Sequence, residues 1–255
     1  AILNHNMNSA DAKVRITNSS TESHVQAIDF QDGTPLSNPA EVVNADTISS
    51  SVVTPAADGN TIVRFDETTL TYFGIQFEGN GSGTFDGTTD LHVGCILIGE
   101  IYEMPHAPDL SVSRSVVYDG VKVQESIGGQ RYGNMSNVGK QVTTTSIAPF
   151  ATALYPYSIH GGRITYDLNF SYLASTDLMP DEMHSISTSD DAVIEDIWNK
   201  TNGSHIPFIF SIDKDSEGTN AESEHIFARF ANNSLDMSQV ANDFWNVSMR
   251  IEEEF

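Results

Sequence analysis

Three things are scarce in this 255-residue chain: cysteine, positive charge and long apolar runs. The single thiol, Cys95, excludes an intrachain disulfide framework and any cysteine-rich metal site. It lies in the apolar run Val93 to Ile98, where a thiol packs as a small hydrophobe. Twelve Lys and Arg stand against 35 Asp and Glu, a formal charge of −23. A field of that sign argues against nucleic acid, polyphosphate and anionic membranes as partners. No apolar stretch approaches the roughly 20 residues that cross a bilayer, and the start carries no secretory hydrophobic region, so the sequence reads as a soluble chain.

Catalytic patterns are scarce as well. There is no G-x-S-x-G elbow and no P-loop; Ser82 sits in a glycine turn, and Gly128-Gly129 precedes no helix. A glycan-cleaving enzyme would need two carboxylates about 5 to 10 Å apart in a cleft, and no spacing here places such a pair. The expectation is a protein without enzymatic activity.

What the chain does have is strand pattern. Short candidate strands fall at 13–18, 25–30 and 51–54, followed by 60–65 and 69–77. Glycine-rich 79–87 reads as a turn. Leu91 to Ile101 reads as a buried strand run that closes a first sandwich, and Pro105 and Pro108 then forbid further ladder bonds. Val116, Tyr118, Val121 and Val123 flank Asp119-Gly120, a hairpin signal. Ser126 to Lys140 has little apolar content and no period, and reads as a projecting hairpin arm or exposed loop. Arg163 to Leu173 alternates Ile164, Tyr166, Leu168, Phe170 and Tyr172 with polar residues, and Phe244 to Glu253 alternates Trp245, Val247, Met249 and Ile251, a terminal strand that completes a sheet. One helix is expected, at Asp190 to Lys200, with Thr188 and Asp191 at capping-box spacing and Gly203 beyond its end. The fold class is all-β, mainly strands with one short helix. Two domains are expected: 1–104, a stiff linker at 105–111, and 112–255.

Asp213, Asp215, Glu217 and Glu224, with Gly218 at the sixth position, follow much of the EF-hand spacing and make Asp213 to Glu224 a candidate calcium loop. Its flanks are strands, and Asn220 stands where an apolar residue anchors such loops, so a solvated acidic hairpin tip is the competing reading. Glu100, Glu103, His106 and Asp109 recur every three residues, but the two prolines exclude a helix that would align them. No other cofactor is implied. Residues 111–176 hold five basic and three acidic residues, a local +2 that leaves −25 on the remainder. A slightly basic arm on an acidic body suits docking onto an identical neighbour, although counts this small also arise by chance.

The order of parts in the C-terminal half, with its arm at Ser126 to Lys140 and helix at Asp190 to Lys200, resembles the β-sandwich-plus-helix unit of tailed-bacteriophage tail tube, distal tail and tail-terminator proteins. The endings PFIFSID and WNVSMRIEEE are similar to the ends of such proteins. The N-terminal half, ending in YFGIQFEG and LHVGCILIGEIYEMP, looks like the galactose-binding-like jelly rolls of phage virion proteins. That resemblance implies a structural protein of the virion, made in the bacterial host cytoplasm and assembled as a homo-oligomeric ring with other virion proteins. Its arm residues would include Arg131, Tyr132, Met135 and Lys140. The alternative is a carbohydrate-binding or capsid-decorating module that contacts host glycans.

Overall fold

A computed structural model describes residues 1–26, 33–49, 51–79, 89–118, 120–135, 161–182, 192–213, 215 and 221–254. Strand makes up 49% of it and helix 9%, so the chain is all-β as expected. Two compact units form: Ala1–Ile101 together with Ser211–His225, and Tyr102–Phe210 together with Ile226–Phe255. The second unit therefore is not the continuous 112–255 expected, because the acidic segment after Phe210 belongs to the first. The prolines mark no free linker either. Tyr102, Met104 and Val112 pack on the second unit's core, and the Asp109 N–H donates to the Asn169 carbonyl at 2.8 Å.

The described residues of the first unit form nine strands: β1 (Ile2–His5), β2 (Ala12–Ser19), β3 (Thr34–Pro35), β4 (Ala40–Val43), β5 (Ala45–Ser49), β6 (Val52–Pro55), β7 (Gly59–Arg64), β8 (Tyr72–Gly79) and β9 (Val93–Ile96). One antiparallel sheet runs β4-β7-β1-β9; in the other, β8 pairs along the whole of β2, whose far edge is shared by β3 and β6, with β5 beyond β6. Both sheets contribute to one apolar cluster. Ile2, Val63 and Val93 meet Val14, Val53, Ile75 and Phe77 there, which makes the unit sandwich-like. Alternation accounts for this packing: in β2, Ala12 and Val14 are buried while Lys13 is not. β9 does pair with β1 at the sheet edge, but the apolar run after it is not buried, and Ile96, Ile98 and Ile101 are exposed.

The second unit contains β10 (Ser113–Val117), β11 (Val121–Glu125), β12 (Arg131–Met135), β13 (Arg163–Ala174), β14 (Phe208–Phe210), β15 (Ile226–Phe230), β16 (Asp236–Ala241) and β17 (Phe244–Glu253). Six of these form one antiparallel sheet, β10-β13-β17-β15-β14 with β16 also on β17, and among the described residues β11 and β12 pair only with each other. β17 completes this sheet, as its regular alternation implied. It is central, bonded to β13 on one side and to β15 and β16 on the other. Alternation puts Tyr166, Leu168 and Phe170 of β13 beside Val247, Met249 and Ile251 of β17 on one face. Leu178, Val193, Ile197 and Trp198 cover that face. Leu173 and Leu178 are wholly buried, each worth about 1.5–3 kcal/mol relative to exposure.

The expected helix is present in its described part, Ile194–Asn199, with π character: the Lys200 N–H reaches back five residues to Glu195. Gly203 ends it with φ +63 and bonds back to Trp198, as its place past the helix implied. Thr188 and Asp191 lie outside the described residues. Three further single helical turns, Glu22–Val25, Ser175–Leu178 and Ala221–Glu224, carried no periodic signal because each is too short to show one.

Candidate functional site

The hairpin of β11 and β12 is the feature that stands apart. Its register pairs Val121 with Met135, Lys122 with Asn134, Val123 with Gly133, Gln124 with Tyr132 and Glu125 with Arg131. The turn follows from Ser126-Ile127-Gly128-Gly129. The Gly129 N–H closes a four-residue turn on the Ser126 carbonyl at 2.8 Å, and Gly129 takes φ +79, a conformation that favours glycine. The Ser126 N–H then bonds to the Gln130 carbonyl at 2.8 Å, and the Ser126 hydroxyl accepts the Gln130 N–H at 3.1 Å. At the end of the ladder Arg131 Nε meets Glu125 Oε2 at 3.2 Å, and the Tyr132 hydroxyl donates to Gln130 Oε1 at 3.1 Å.

Nothing on this hairpin is buried against the rest of the described chain. Val123 is 63% exposed, Tyr132 57%, and Ile127 at the tip completely so. The apolar run continues through the root, where Val116, Val117 and Tyr118 are also exposed. A two-stranded hairpin alone is marginal in water, and contiguous exposed apolar surface marks an interaction site. Lys122, Arg131 and Glu125 give residues 121–135 a net +1, so −23 less +1 leaves −24 on the remainder.

Arg131, Tyr132 and Met135 all lie on β12, whereas Lys140 lies outside the described residues. The arm begins at Val121 rather than Ser126. The strands on either side of Asp119-Gly120 do not pair with each other, because β10 pairs with β13 and β11 with β12. The signal was present: a V-x-V-x-E run, a short turn with two glycines and a Y-x-N-x strand is a hairpin pattern in itself. The Asp-Gly dipeptide competed with it.

Among the described residues, the other candidates do not converge. Asp213 and Asp215 sit in a local turn in which the Asp215 N–H donates to Asp213 Oδ1 at 3.0 Å, Glu224 ends a helical turn, and Glu217 lies outside the described residues. Among the described residues no three His, Cys, Asp or Glu side chains come together as a metal site would require. His106 Nε2 lies 3.9 Å from Asp177 Oδ2, and Asp109 Oδ2 accepts the Ser171 hydroxyl at 2.6 Å, so this stretch is bonded onto the second unit.

A buried polar chain runs through the first unit. His5 Nδ1 accepts the Met7 N–H at 3.2 Å, which puts the ring proton on Nε2, 2.8 Å from the Thr61 hydroxyl; that hydroxyl donates to the Asn44 carbonyl at 3.2 Å. Burial pushes the His5 pKa below its ordinary value, against a smaller upward pull from Asp58. Although hydroxyl and imidazole are paired as in a nucleophile and its base, both residues are buried, and the hydroxyl proton is committed to a carbonyl. The chain is a structural tie.

No protein-family model matches this sequence, and neither a curated protein nor a solved structure does. The class is set by the fold and site alone: an all-β chain of two units with a projecting, partly apolar hairpin.

Proposed function

We propose that this chain is a non-enzymatic structural protein of a tailed-bacteriophage virion, a tail or tail-tip component whose Val121–Met135 hairpin docks on an identical neighbour to build a ring. The observation that carries the reading is the hairpin itself, a pair of strands with exposed Val121, Val123, Ile127 and Tyr132 and no other strand beside it among the described residues. Such a hairpin gains its stability by being covered. Its slight positive charge on a body of −24 favours a neighbour's acidic surface over another hairpin. A patch that binds a different patch on the next copy is a head-to-tail contact, which closes into a ring when the rotation allows. Partners would be further copies and adjoining virion proteins, and the energy would come from buried area rather than from a reaction.

Size-exclusion chromatography with light scattering tests this on the wild-type chain and on one with residues 121–135 replaced by a short Gly-Ser linker. The expected result is a wild-type oligomer and a deletion monomer with an unchanged strand spectrum. A wild-type chain that stays monomeric at high concentration, or a deletion that still assembles, would sink it.

A further inference from the structure

Seven described non-glycine residues have positive φ, and six of them are Asn or Asp: Asn4, Asp11, Asn38, Asn44, Asn202 and Asp243. Short polar side chains tolerate that conformation. The seventh is Tyr172, at φ +61, where a bulky ring is strained. It sits in a β-bulge: Phe170 pairs with Val247 and Leu173 with Trp245, so Ser171 and Tyr172 together oppose Asn246. The bulge lets Leu173 take the inward place that strict alternation assigned to Tyr172. Little packing compensates for this, since Tyr172 is 65% exposed between buried Phe170 and Leu173. Glycine would make the same bulge without strain. A strained, exposed residue of this kind points to a role in contacts outside the fold.

Around it, the hydrogen bonds orient several polar groups. The Tyr172 N–H donates to Asn246 Oδ1 at 3.2 Å, and the Ser248 hydroxyl donates to Asn169 Oδ1 at 2.8 Å. Both amide oxygens are thereby engaged, which leaves the two NH2 groups as the donors these side chains can offer. Asp109, which accepts the Ser171 hydroxyl, keeps further lone pairs as an acceptor. Adjacent sugar hydroxyls each need a donor and an acceptor, and a sugar's C–H face stacks on an aromatic ring. A dry protein contact would bury these amides and this carboxylate at a cost, whereas hydroxyls replace their water partner for partner. The charge of −23 disfavours anionic sugars.

We propose that Tyr172, with Asn169, Asn246 and Asp109, forms a binding patch for a neutral saccharide on the polar face of the second unit's sheet. It does not depend on ring assembly. The test is a glycan array spanning neutral hexoses, deoxyhexoses and N-acetylhexosamines, probed with the full wild-type chain, Tyr172→Phe and Tyr172→Gly, with each hit measured by calorimetry and each variant by thermal melting. The wild type and Tyr172→Phe are expected to bind, while Tyr172→Gly loses about tenfold or more in Kd and melts no lower than wild type. The proposal is overturned if the wild type binds no neutral glycan, if Tyr172→Gly binds as tightly, if Tyr172→Gly melts lower because the ring serves the fold, or if that variant's only change is lost association between copies.

Discussion

Replacing Thr61 by Val tests whether the buried chain through His5 is a tie or a coincidence of packing. The two side chains are nearly the same size, so the change leaves no cavity and its cost is in hydrogen bonding. Thr61 is 2% exposed and accepts from His5 Nε2. Its loss strands that buried N–H, at about 1–3 kcal/mol. The Asn44 carbonyl is not stranded, because the Ala56 N–H also reaches it, at 3.3 Å. His5→Leu strands instead the N–H of Met7, at a similar cost of about 1–3 kcal/mol. In the double variant the imidazole is gone, so Thr61→Val in the His5→Leu background costs close to nothing. The cycle should therefore show a coupling of about 1–3 kcal/mol between the two positions. Urea melts followed by far-UV circular dichroism give the stabilities, and hydrogen exchange at the Met7 amide reports the local tie. Equal costs for Thr61→Val in both backgrounds would refute the argument.

The same histidine sets a pH dependence. Because burial lowers its pKa, the unfolded chain binds the proton first on acidification; its contribution is complete above the ordinary value of 6.5 and is lost as pH falls toward the lowered value. Melting temperature should drop through that window in wild type and less in His5→Leu, and parallel curves would contradict the assignment. A second window lies lower: Arg15, bonded at 2.6 Å, holds the Glu78 carboxyl below its ordinary value, so its stabilisation is present above the usual carboxylate range and lost as pH falls through the lowered pKa. Glu78→Gln should flatten the acid limb of the stability curve by no more than about 1 kcal/mol, and a steeper limb would contradict the pairing. At Gly162 an added Cβ would meet Val116 Cγ1 at 2.6 Å and the Val117 carbonyl at 3.0 Å, so Gly162→Ala should cost about 1–3 kcal/mol and loosen β10 from β13; protection of the β10 amides against exchange equal to wild type would refute it. Millimolar calcium should leave the melting temperature unchanged, since Asp213 Oδ1 already accepts the Asp215 N–H in a local turn and Glu224 ends a separate helical turn; a rise of several degrees would support Asp213, Asp215, Glu217 and Glu224 as a calcium loop.

Much of the strand content could be read directly, and the reason is local. β13 and β17 alternate apolar and polar residues over long stretches, and a half-buried strand has no other way to keep one face dry. Gly203 announced a helix end because few residues but glycine take φ +63 there. Where the reading failed, distant chain made the decision. Ile96, Ile98 and Ile101 look buried by composition, but a residue is buried only if something covers it. Tyr172 looked inward by parity until Ser171 and Tyr172 came to oppose the single residue Asn246.

By itself, then, the amino-acid order determined the class of fold, the period of its strands and its strong negative charge, because these depend on near neighbours and on sums over the chain. Tertiary structure alone decided that β17 is central, that 211–225 joins the first unit, that β11 pairs with β12, and that Tyr172 stands out of the core. Strand partners are chosen by hydrogen bonds and burial between residues far apart in sequence, and those energies come into being only when the sheets assemble.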